Sequence, residues 1–408
     1  MKARYFFYPF LFLFSVAMFA SCSLSVPKER DIIEDSAFRS VDLRIIEKTK
    51  GTVMSLGDLM ESYEIIRLDN RDEALIKTYP YGVYVTDNYI LLRPADVVSP
   101  VKLFTRKGRY VADIGGVGQG PGEYLYLFSW LVDEKENRIY LGPGRTDKVL
   151  VYDLKGNYLP DEVIRFGEIV HKSQIWVDYD KKNVVVVTFP FSANVNSNFA
   201  ISKNVCWVQN REDDIVHRIP VNHYGLIGDY SNALVARRNV DAISFSISEV
   251  PMLRTRPDTL YHYDAVKNII TPCFTIDHVV SENQSACTVL YETSRSYWAQ
   301  VTLYPNNLSS SVSSVRLPAF NVCVSKKDGN VRRIDRFTDP LLGLSHLFLM
   351  MNNGYICISY DPLELMDALD KVLTQTDLES DVRKRATDLR NSLHENDNDI
   401  LIIGKLKQ

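Results

Sequence analysis

The chain has 408 residues, of which 46% are hydrophobic, and it carries a formal net charge of −4. This length and composition indicate a globular protein with a large core. The weakly acidic balance argues against nucleic acid or acidic lipid as a partner that would be bound through charge.

The N-terminus has the composition of an export signal. A basic head, Met1–Arg4, precedes an apolar run from Tyr5 to Ala20, which is shorter than the roughly 20 residues that a helix needs to cross a bilayer. Phe19-Ala20-Ser21-Cys22 resembles the lipobox of bacterial lipoproteins, in which the cysteine is lipidated and becomes the first mature residue, although Phe19 replaces the usual leucine. The alternatives are an ordinary signal peptide, or a buried helix with a chance cysteine.

The lipobox resemblance predicts three segments. Residues 1–21 are a lipoprotein signal peptide, residues 22–36 a lipid-anchored tether, and residues 37–408 a single domain. The resemblance implies attachment to a membrane through lipid on Cys22. It also implies a place in the bacterial cell envelope, anchored to the outer membrane and facing either the periplasm or the cell surface.

Five further cysteines follow Cys22, and none forms a CxxC pair or a cluster with zinc-site spacing. An exported chain could join Cys273 to Cys287, but the odd number leaves at least one thiol free. We expect mainly buried, unreactive thiols at Cys206, Cys273, Cys287, Cys323 and Cys357.

Most of the domain has the pattern of β-strands. β-Branched and aromatic runs bounded by turn residues are typical of strands, and clear examples are Tyr84–Thr86, Tyr89–Leu92, Arg138–Leu141 and Asn183–Thr188. The 23 tyrosines and 18 phenylalanines also suit sheets.

A hairpin pattern recurs along these strands. Lys102–Tyr110 matches Leu150–Tyr158, and each contains a strand, a Lys-Gly turn and a second strand. Weaker copies are centred on Arg211–Asp214, Val266–Asn268 and Lys327–Gly329. One hairpin per unit, at a period slightly above the roughly 40–50 residues of a blade, predicts a β-propeller. A β-sandwich would give hairpins at an irregular period.

Two helices are predicted near the C-terminus. Asp361–Glu364 is a capping box with proline at the first helical position, and Thr376–Glu379 is the predicted cap of the second helix. The apolar stripe of each helix predicts an insertion over about residues 361–394 that packs on one blade. The functional alternative is a lid or docking surface.

The chain returns to a strand at about residues 399–407, with Ile400–Ile403 at its centre. A lone terminal strand in a propeller is expected to complete a blade that begins at the other end of the chain. The predicted partner is Tyr63–Arg67 or Asp42–Ile46, and the pairing would close the ring.

The stretch GGVGQGPGEY, residues 115–124, is the most glycine-rich part of the chain. A P-loop needs GxxxxGK[ST], but Pro121-Gly122 replace the lysine and the hydroxyl residue. A dinucleotide fingerprint must open a helix, whereas a strand is predicted after Tyr124. We therefore interpret the stretch as a connection from the outer strand of one blade to the inner strand of the next.

This stretch also carries a resemblance to a known family. Ile114–Tyr124, the following strands and the hairpin at Val149–Tyr158 resemble the six-bladed β-propeller lipoproteins of Bacteroidetes, which are distantly similar to NHL-repeat and TolB-like propellers. Asp258–Tyr261 and Glu395–Asn398 match two further signatures. The resemblance is weakest over about residues 160–250. It implies an all-β, six-bladed propeller in the outer envelope and no established reaction, so no catalytic residue follows from it.

One group of residues predicts a ligand site. Arg254 and Arg256 precede the strand that begins with Asp258. Glu123 and Tyr124 end the glycine stretch, and Trp130 follows it. At one mouth of the channel, the arginines are expected to bind carboxylates or acidic sugars; the alternative is that an arginine only holds its loop against an acid of a neighbouring blade. The candidate residues are Glu123, Tyr124, Trp130, Arg254, Arg256 and Asp258.

No motif identifies a catalytic site. The seven histidines are dispersed, no GxSxG elbow occurs, and Ser325–Gly329 lacks the spacing of a sialidase Asp box. No cofactor is evident, and a channel calcium ion has no support in the sequence. We expect a non-catalytic binding or scaffolding propeller with a glycan, peptide or protein ligand at a channel mouth, and no nucleic acid. The alternatives are a propeller hydrolase or lyase with a channel metal, and a structural part of an envelope complex.

Overall fold

A computed structural model of the chain describes residues 38–76, 80–96, 98–178, 183–193, 202–227, 233–249, 256–277, 279–281, 284–305 and 318–408. The predicted signal peptide, the tether with Cys22, and Arg254 lie outside these residues. Within them, no helix has the length and apolar character needed to cross a membrane.

Six units of four antiparallel strands form the blades of a β-propeller, which confirms the predicted fold class, and two of these units belong to larger sheets of five and seven strands. Strands are numbered here from the channel outwards. Blade 1 contains Pro80–Val85, Tyr89–Pro94, Val101–Thr105 and Tyr110–Ile114. Blade 2 contains Leu127–Asp133, Arg138–Pro143, Arg145–Asp153 and Ile164–His171. Blade 3 contains Gln174–Asp178, Asn183–Val187, Asn204–Asn210 and Ile215–Pro220.

The second half of the ring has the same plan. Blade 4 contains Ala233–Ala236, Ile243–Ser248, Asp258–Asp264 and Ile269–Asp277. Blade 5 contains Gln284–Glu292, Ser296–Pro305, Ala319–Ser325 and Val331–Thr338. Blade 6 contains Met350–Asn352, Tyr355–Tyr360, Ile400–Lys405 and, from the N-terminal side of the chain, Glu64–Arg67.

Shorter elements lie between the blades. The additional strands are Arg39–Asp42, Thr52–Ser55, Gly116–Val117, Glu123–Tyr124, Phe191–Ala193, Leu226–Ile227, Val279–Ser281 and Ser345–His346. The α-helices are Leu43–Ile46, Leu56–Leu59, Pro362–Leu373 and Ser380–Asn391. The 3-10 helices are Asp72–Ala74, Pro160–Glu162 and Asn222–Tyr224.

The antiparallel order gives the ring two different faces. The turns from first to second strand and from third to fourth strand lie on one face, which we call the turn face. The connections from second to third strand and from each blade to the next lie on the other, which we call the mouth face. The glycine stretch joins blade 1 to blade 2 and therefore lies on the mouth face, as the sequence predicted.

The core lies between neighbouring blades because side chains alternate along each strand. In blade 1, Ile90 and Leu92 pack in a cluster with Leu401 and Ile403 of blade 6, whereas Leu91 packs in the cluster shared with blade 2. Each blade is thus apolar on both sides, which explains why its strands read as nearly continuous apolar runs.

The five predicted hairpins are the third and fourth strands of blades 1 to 5. Each turn contains one residue with positive φ, as tight turns between twisted strands require: Gly108, Gly156, Asp213, Asn268 and Gly329. Blade 6 has no such hairpin because its third and fourth strands come from opposite ends of the chain.

Blade 6 closes the ring in the predicted way. Glu64 pairs with Ile403 and Arg67 pairs with Ile400, in antiparallel register. Asn398 fixes this junction: its side-chain amide donates to the carbonyls of Asp69 and Ala74, at 2.8 and 2.9 Å, and its oxygen accepts from the backbone N–H of Ile76. The Glu395–Asn398 signature therefore has a structural role in ring closure.

The alternative closing partner, Asp42–Ile46, is wrong. Arg39–Asp42 instead adds a parallel strand to the outer edge of blade 4, and Thr52–Ser55 adds one to blade 5. Each is followed by a one-turn helix, capped by the side chain of Asp42 or Ser55. Residues 39–67, the N-terminal belt, thus cover the outer edges of blades 4 and 5 and supply that of blade 6, which removes exposed strand edges.

The two C-terminal helices pack on blade 6, where Leu365, Leu369 and Ala386 join the cluster of Ile400 and Ile402. The first is capped by Asp361 as predicted. The second begins at Ser380 rather than within Thr376–Glu379. Arg383 of the second helix donates a hydrogen bond to the carbonyl of Leu373, at the C-terminus of the first helix. The segment between the two helices therefore turns back on the first helix.

Candidate functional site

The glycine stretch is a closed loop held by its own chain. Gly116-Val117 pairs in parallel with Glu123-Tyr124, and the backbone N–H of Gly120 donates to the Glu123 carboxylate at 2.7 Å. The Tyr124 hydroxyl donates to the carbonyl of Ile114 at 3.0 Å and accepts from the N–H of Val101 at 2.9 Å. Glu123 and Tyr124 therefore shape this loop on the mouth face.

Trp130 lies in the first strand of blade 2, and not on a loop as expected. Its ring packs against blade 1 at a point where only glycine leaves room, since a Cβ atom on Gly82 would lie 2.1 Å from its Cζ2 atom. The guanidinium of Arg93, also from blade 1, lies 5.6 Å from the Trp130 ring and 5.1 Å from the ring of Tyr126. Both distances are typical of cation–π contacts.

A second cation occupies an equivalent place on the other side of the same strand. The ammonium of Lys172, in the connection from blade 2 to blade 3, lies 5.3 Å from the ring of Phe128 and 5.6 Å from the ring of Phe189. The backbone of Lys172 has a φ of 49°, a conformation that is uncommon for lysine and that is concentrated at functional sites. We call this set the cation–aromatic row: Arg93, Tyr126, Phe128, Trp130, Lys172 and Phe189.

The row opens to solvent through Tyr126, of which 38% is exposed, and the neighbouring Leu125, of which 59% is exposed. A small cavity between blades 1 and 2 lies beside them and is lined by Arg93, Asp96 and Ser99, among others. Arg93 and Lys172 are themselves buried. An exposed aromatic ring backed by the buried guanidinium of Arg93 can stack on a flat ligand and attract an anion.

The other sequence-predicted residues lie in blade 4. Arg256 donates to the carbonyls of His223 and Tyr224, at 2.6 and 2.7 Å, in the connection from blade 3. Asp258 is 1% exposed and accepts a hydrogen bond from the Thr288 hydroxyl of blade 5. Its strand is the third of blade 4, so Arg256 precedes an outer strand and not the channel-lining one. The described contacts of Arg256 and Asp258 thus join neighbouring blades.

The channel is covered at its turn face. The first turn of blade 4, residues 237–242, reaches across to blade 6, where Arg237 contacts the carbonyl of Met351 and the Asn239 side chain accepts from the N–H of Gly354. Arg237 also lies 5.3 Å from the ring of Tyr291 in blade 5.

Comparison with known proteins identifies the family. Residues 40–405 match the family described as "Domain of unknown function (DUF4934)". The chain belongs to the DUF4934 family. No curated protein matches it.

Two solved structures resemble this DUF4934 chain. A protein from Bacteroides fragilis, described as a "Putative exported protein", is 16% identical; the match covers 91% of this chain and 100% of that chain, with a TM-score of 0.58. A member of the DUF4221 family from Bacteroides vulgatus is 8% identical over 86% of this chain and 97% of that chain, with a TM-score of 0.41. The first likeness supports the propeller fold.

A separate ionic cluster joins blades 4 and 5 of the DUF4934 domain. The fully buried carboxylate of Glu292 accepts from Nε2 of His262 and from Nζ of Lys326, both at 2.6 Å. Hydrogen bonds with Cys273 and Glu292 raise the pKa of His262 to about 9, so its imidazole is cationic at neutral pH. Burial opposes ionisation of Glu292, but the two cations hold its pKa below the usual range. The cluster is a charge-paired junction between blades.

The described residues contain no group of three or more histidine, cysteine or acidic side chains that could hold a metal ion. The alternative of a Cys273–Cys287 disulfide is not found, and both residues are free thiols. Cys206, Cys273, Cys323 and Cys357 are buried as expected, whereas Cys287 is half-buried. Burial raises the pKa of Cys357 to about 12, which keeps that thiol protonated and unreactive.

Sequence reasoning identified Trp130 but missed the other five residues of the row, which are Arg93, Tyr126, Phe128, Lys172 and Phe189. A signal was present, because Tyr126, Phe128 and Trp130 occur at every second position of one predicted strand. The two cations come from other elements of the propeller and carry no local signature.

Proposed function

We propose that this DUF4934 protein is a lipid-anchored, extracytoplasmic binding propeller that holds an acidic ligand at its mouth face. The observation that carries the proposal is the cation–aromatic row, in which the exposed ring of Tyr126 is backed by the buried guanidinium of Arg93. A buried cation is costly unless it is compensated, and here the aromatic faces of blade 2 supply part of that compensation.

The ligand class follows from the chemistry of the row. Aromatic side chains stack on sugar rings and other flat apolar groups, and the positive potential of Arg93 and Lys172 favours a carboxylate beside that ring. An acidic saccharide combines both features. An exported setting is consistent with the Bacteroides fragilis structure, described as a "Putative exported protein".

A glycan and peptide array tests the binding proposal. We expect the purified domain to bind acidic saccharides above background, and we expect Tyr126→Ala and Leu125→Ala to weaken that signal at least tenfold. The matched control is Leu363→Ala, which truncates a leucine of similar exposure, 50%, on the helical insertion. A wild-type domain without signal on any saccharide or peptide would refute the binding function.

Lipid attachment at Cys22 is tested separately by expressing the full chain with Cys22→Ala. We expect the variant to leave the membrane fraction on washing, whereas the parent stays in it. A variant that stays membrane-bound would contradict the anchor without affecting the ligand proposal.

A further inference from the structure

The N-terminal chain leaves the propeller at a defined place. Arg39 begins the strand on the outer edge of blade 4, and it lies against the turn-face hairpin of blade 5, since a Cβ atom on Gly329 would lie 3.3 Å from its Nε atom. Phe38, the first residue that the structure describes, therefore lies at the rim of blades 4 and 5, beside the turn face.

Exposed apolar side chains occur at this same rim. Val266 is 76% exposed in the hairpin turn of blade 4, Ile269 is 50% exposed at the start of the next strand, and Val331 is 40% exposed at the equivalent position of blade 5. Exposed lysines, Lys267 and Lys327, flank them in the two turns. Single exposed apolar residues are common on proteins, but three in adjacent hairpins form a patch that suits an interface.

We infer that this rim patch, which consists of Val266, Lys267, Ile269, Lys327 and Val331, rests on the lipid bilayer. The inference relies on the proposed anchor at Cys22. The predicted tether, residues 22–36, would then join this rim to the lipid, and a chain of this length spans at most about 50 Å even when fully extended, which limits the distance between the rim and the lipid surface.

The chemistry of the patch fits the bilayer interface. Valine and isoleucine side chains enter the boundary between headgroups and acyl chains, at a gain of about 0.8 kcal/mol for each buried CH₂. Lysine side chains extend back towards the headgroups. Asp264 and Asp328 lie in the same two turns, so contact depends mainly on the apolar side chains and not on net charge.

This orientation places the mouth face away from the membrane. The cation–aromatic row then faces the aqueous compartment, where a soluble ligand reaches it without passing between the protein and the lipid. The covered turn face of the channel is the side towards the bilayer.

Site-specific fluorescence on the full-length lipidated protein tests the inference. In a variant with half-buried Cys287 replaced by serine, single cysteines replace Val266 on the rim or Val98 on the mouth face, two valines with the same exposure of 76%. Each variant is reconstituted in zwitterionic vesicles, labelled with an environment-sensitive dye, and treated with lipids that carry a quencher. We expect at least threefold stronger quenching at position 266 than at position 98.

Equal quenching at the two positions, or stronger quenching at position 98, would overturn the inference while leaving the anchor intact. Failure of the protein to remain on the vesicles would overturn both the anchor and the inference. A second variant, Val266→Asp with the dye on Ile269→Cys, should halve the quenching at position 269; an unchanged signal would show that the apolar side chains do not contact lipid.

Discussion

Gly115 and Gly122 give the sharpest test of how the glycine stretch works. Both have positive φ, 68° and 74°. A Cβ atom on Gly115 would lie 2.6 Å from the Tyr152 hydroxyl, and one on Gly122 would lie 2.7 Å from the ring of Tyr158. The stretch therefore needs glycine at these two positions for both backbone conformation and space.

The expected loss of stability combines the cost of the backbone conformation and the cost of crowding. Alanine in the left-handed region costs about 1–2 kcal/mol, and forcing a methyl group into a packed site typically costs about 1–3 kcal/mol. We expect each substitution to lower the free energy of unfolding by about 3 kcal/mol. A domain of this size has an unfolding entropy of about 0.8 kcal/mol per degree, so the Tm should fall by about 4 °C.

Differential scanning calorimetry of Gly115→Ala, Gly122→Ala and the control Gly116→Ala measures the effect. Gly116 lacks positive φ, and a Cβ atom there would meet only the Glu123 side chain, at an ordinary 3.7 Å, so its Tm should change by less than about 1 °C. Equal Tm values for all three variants would refute the reasoning. A rise in the parent's Tm with ATP, GTP or NAD that is lost in the glycine variants would show instead that the stretch binds a nucleotide.

Three further predictions concern ring closure, the inter-blade cluster and the thiols. Asn398→Asp keeps the side-chain shape but removes both amide donors, so it should lower the free energy of unfolding by at least about 2–3 kcal/mol. The exposed control Asn396→Asp should change it little. Equal urea midpoints for the two variants would contradict the role of Asn398. Because the pKa of His262 is raised from 6.5 to about 9, its contribution to stability is full below pH 6.5 and is lost as the pH rises through 9. Stability should therefore fall by about 1–2 kcal/mol over that range, and a His262→Gln variant with the same pH dependence would disprove the assignment. Iodoacetamide should modify half-buried Cys287 before buried Cys206 in the native protein, as measured by peptide mass spectrometry, and the reverse order would mean that burial does not control their reactivity.

Local chemistry explains what the sequence could predict. A Lys-Gly turn between two apolar strands is visible within ten residues, and for that reason the hairpins of blades 1 and 2 were recognised from sequence alone. Ring closure was also predictable, because an isolated strand such as Ile400–Ile403 needs a partner and Tyr63–Arg67 has a suitable pattern.

The parts that were missed depend on distant contacts. Arg39–Asp42 is a strand only because the outer edge of blade 4 pairs with it, and four residues alone have no clear strand pattern. Arg256 was assigned to the channel mouth because the Asp-Thr strand was taken as an inner strand, whereas the order of strands in blade 4 makes it the third. The cation–aromatic row could not be predicted from sequence, because Arg93 and Lys172 meet the aromatic side chains of blade 2 only after three blades are in place.

The split construction of blade 6 has a consequence for the order of events as the chain is made. Glu64–Arg67 is synthesised early but has no antiparallel partner until Ile400–Lys405, far later in the chain, has been added. Closing so long a loop is slow compared with forming the local hairpins of blades 1 to 5. A chain that stops before Ile400 leaves the ring open and the second strand of blade 6, Tyr355–Tyr360, without its partner on the outer side, where it could pair with another chain.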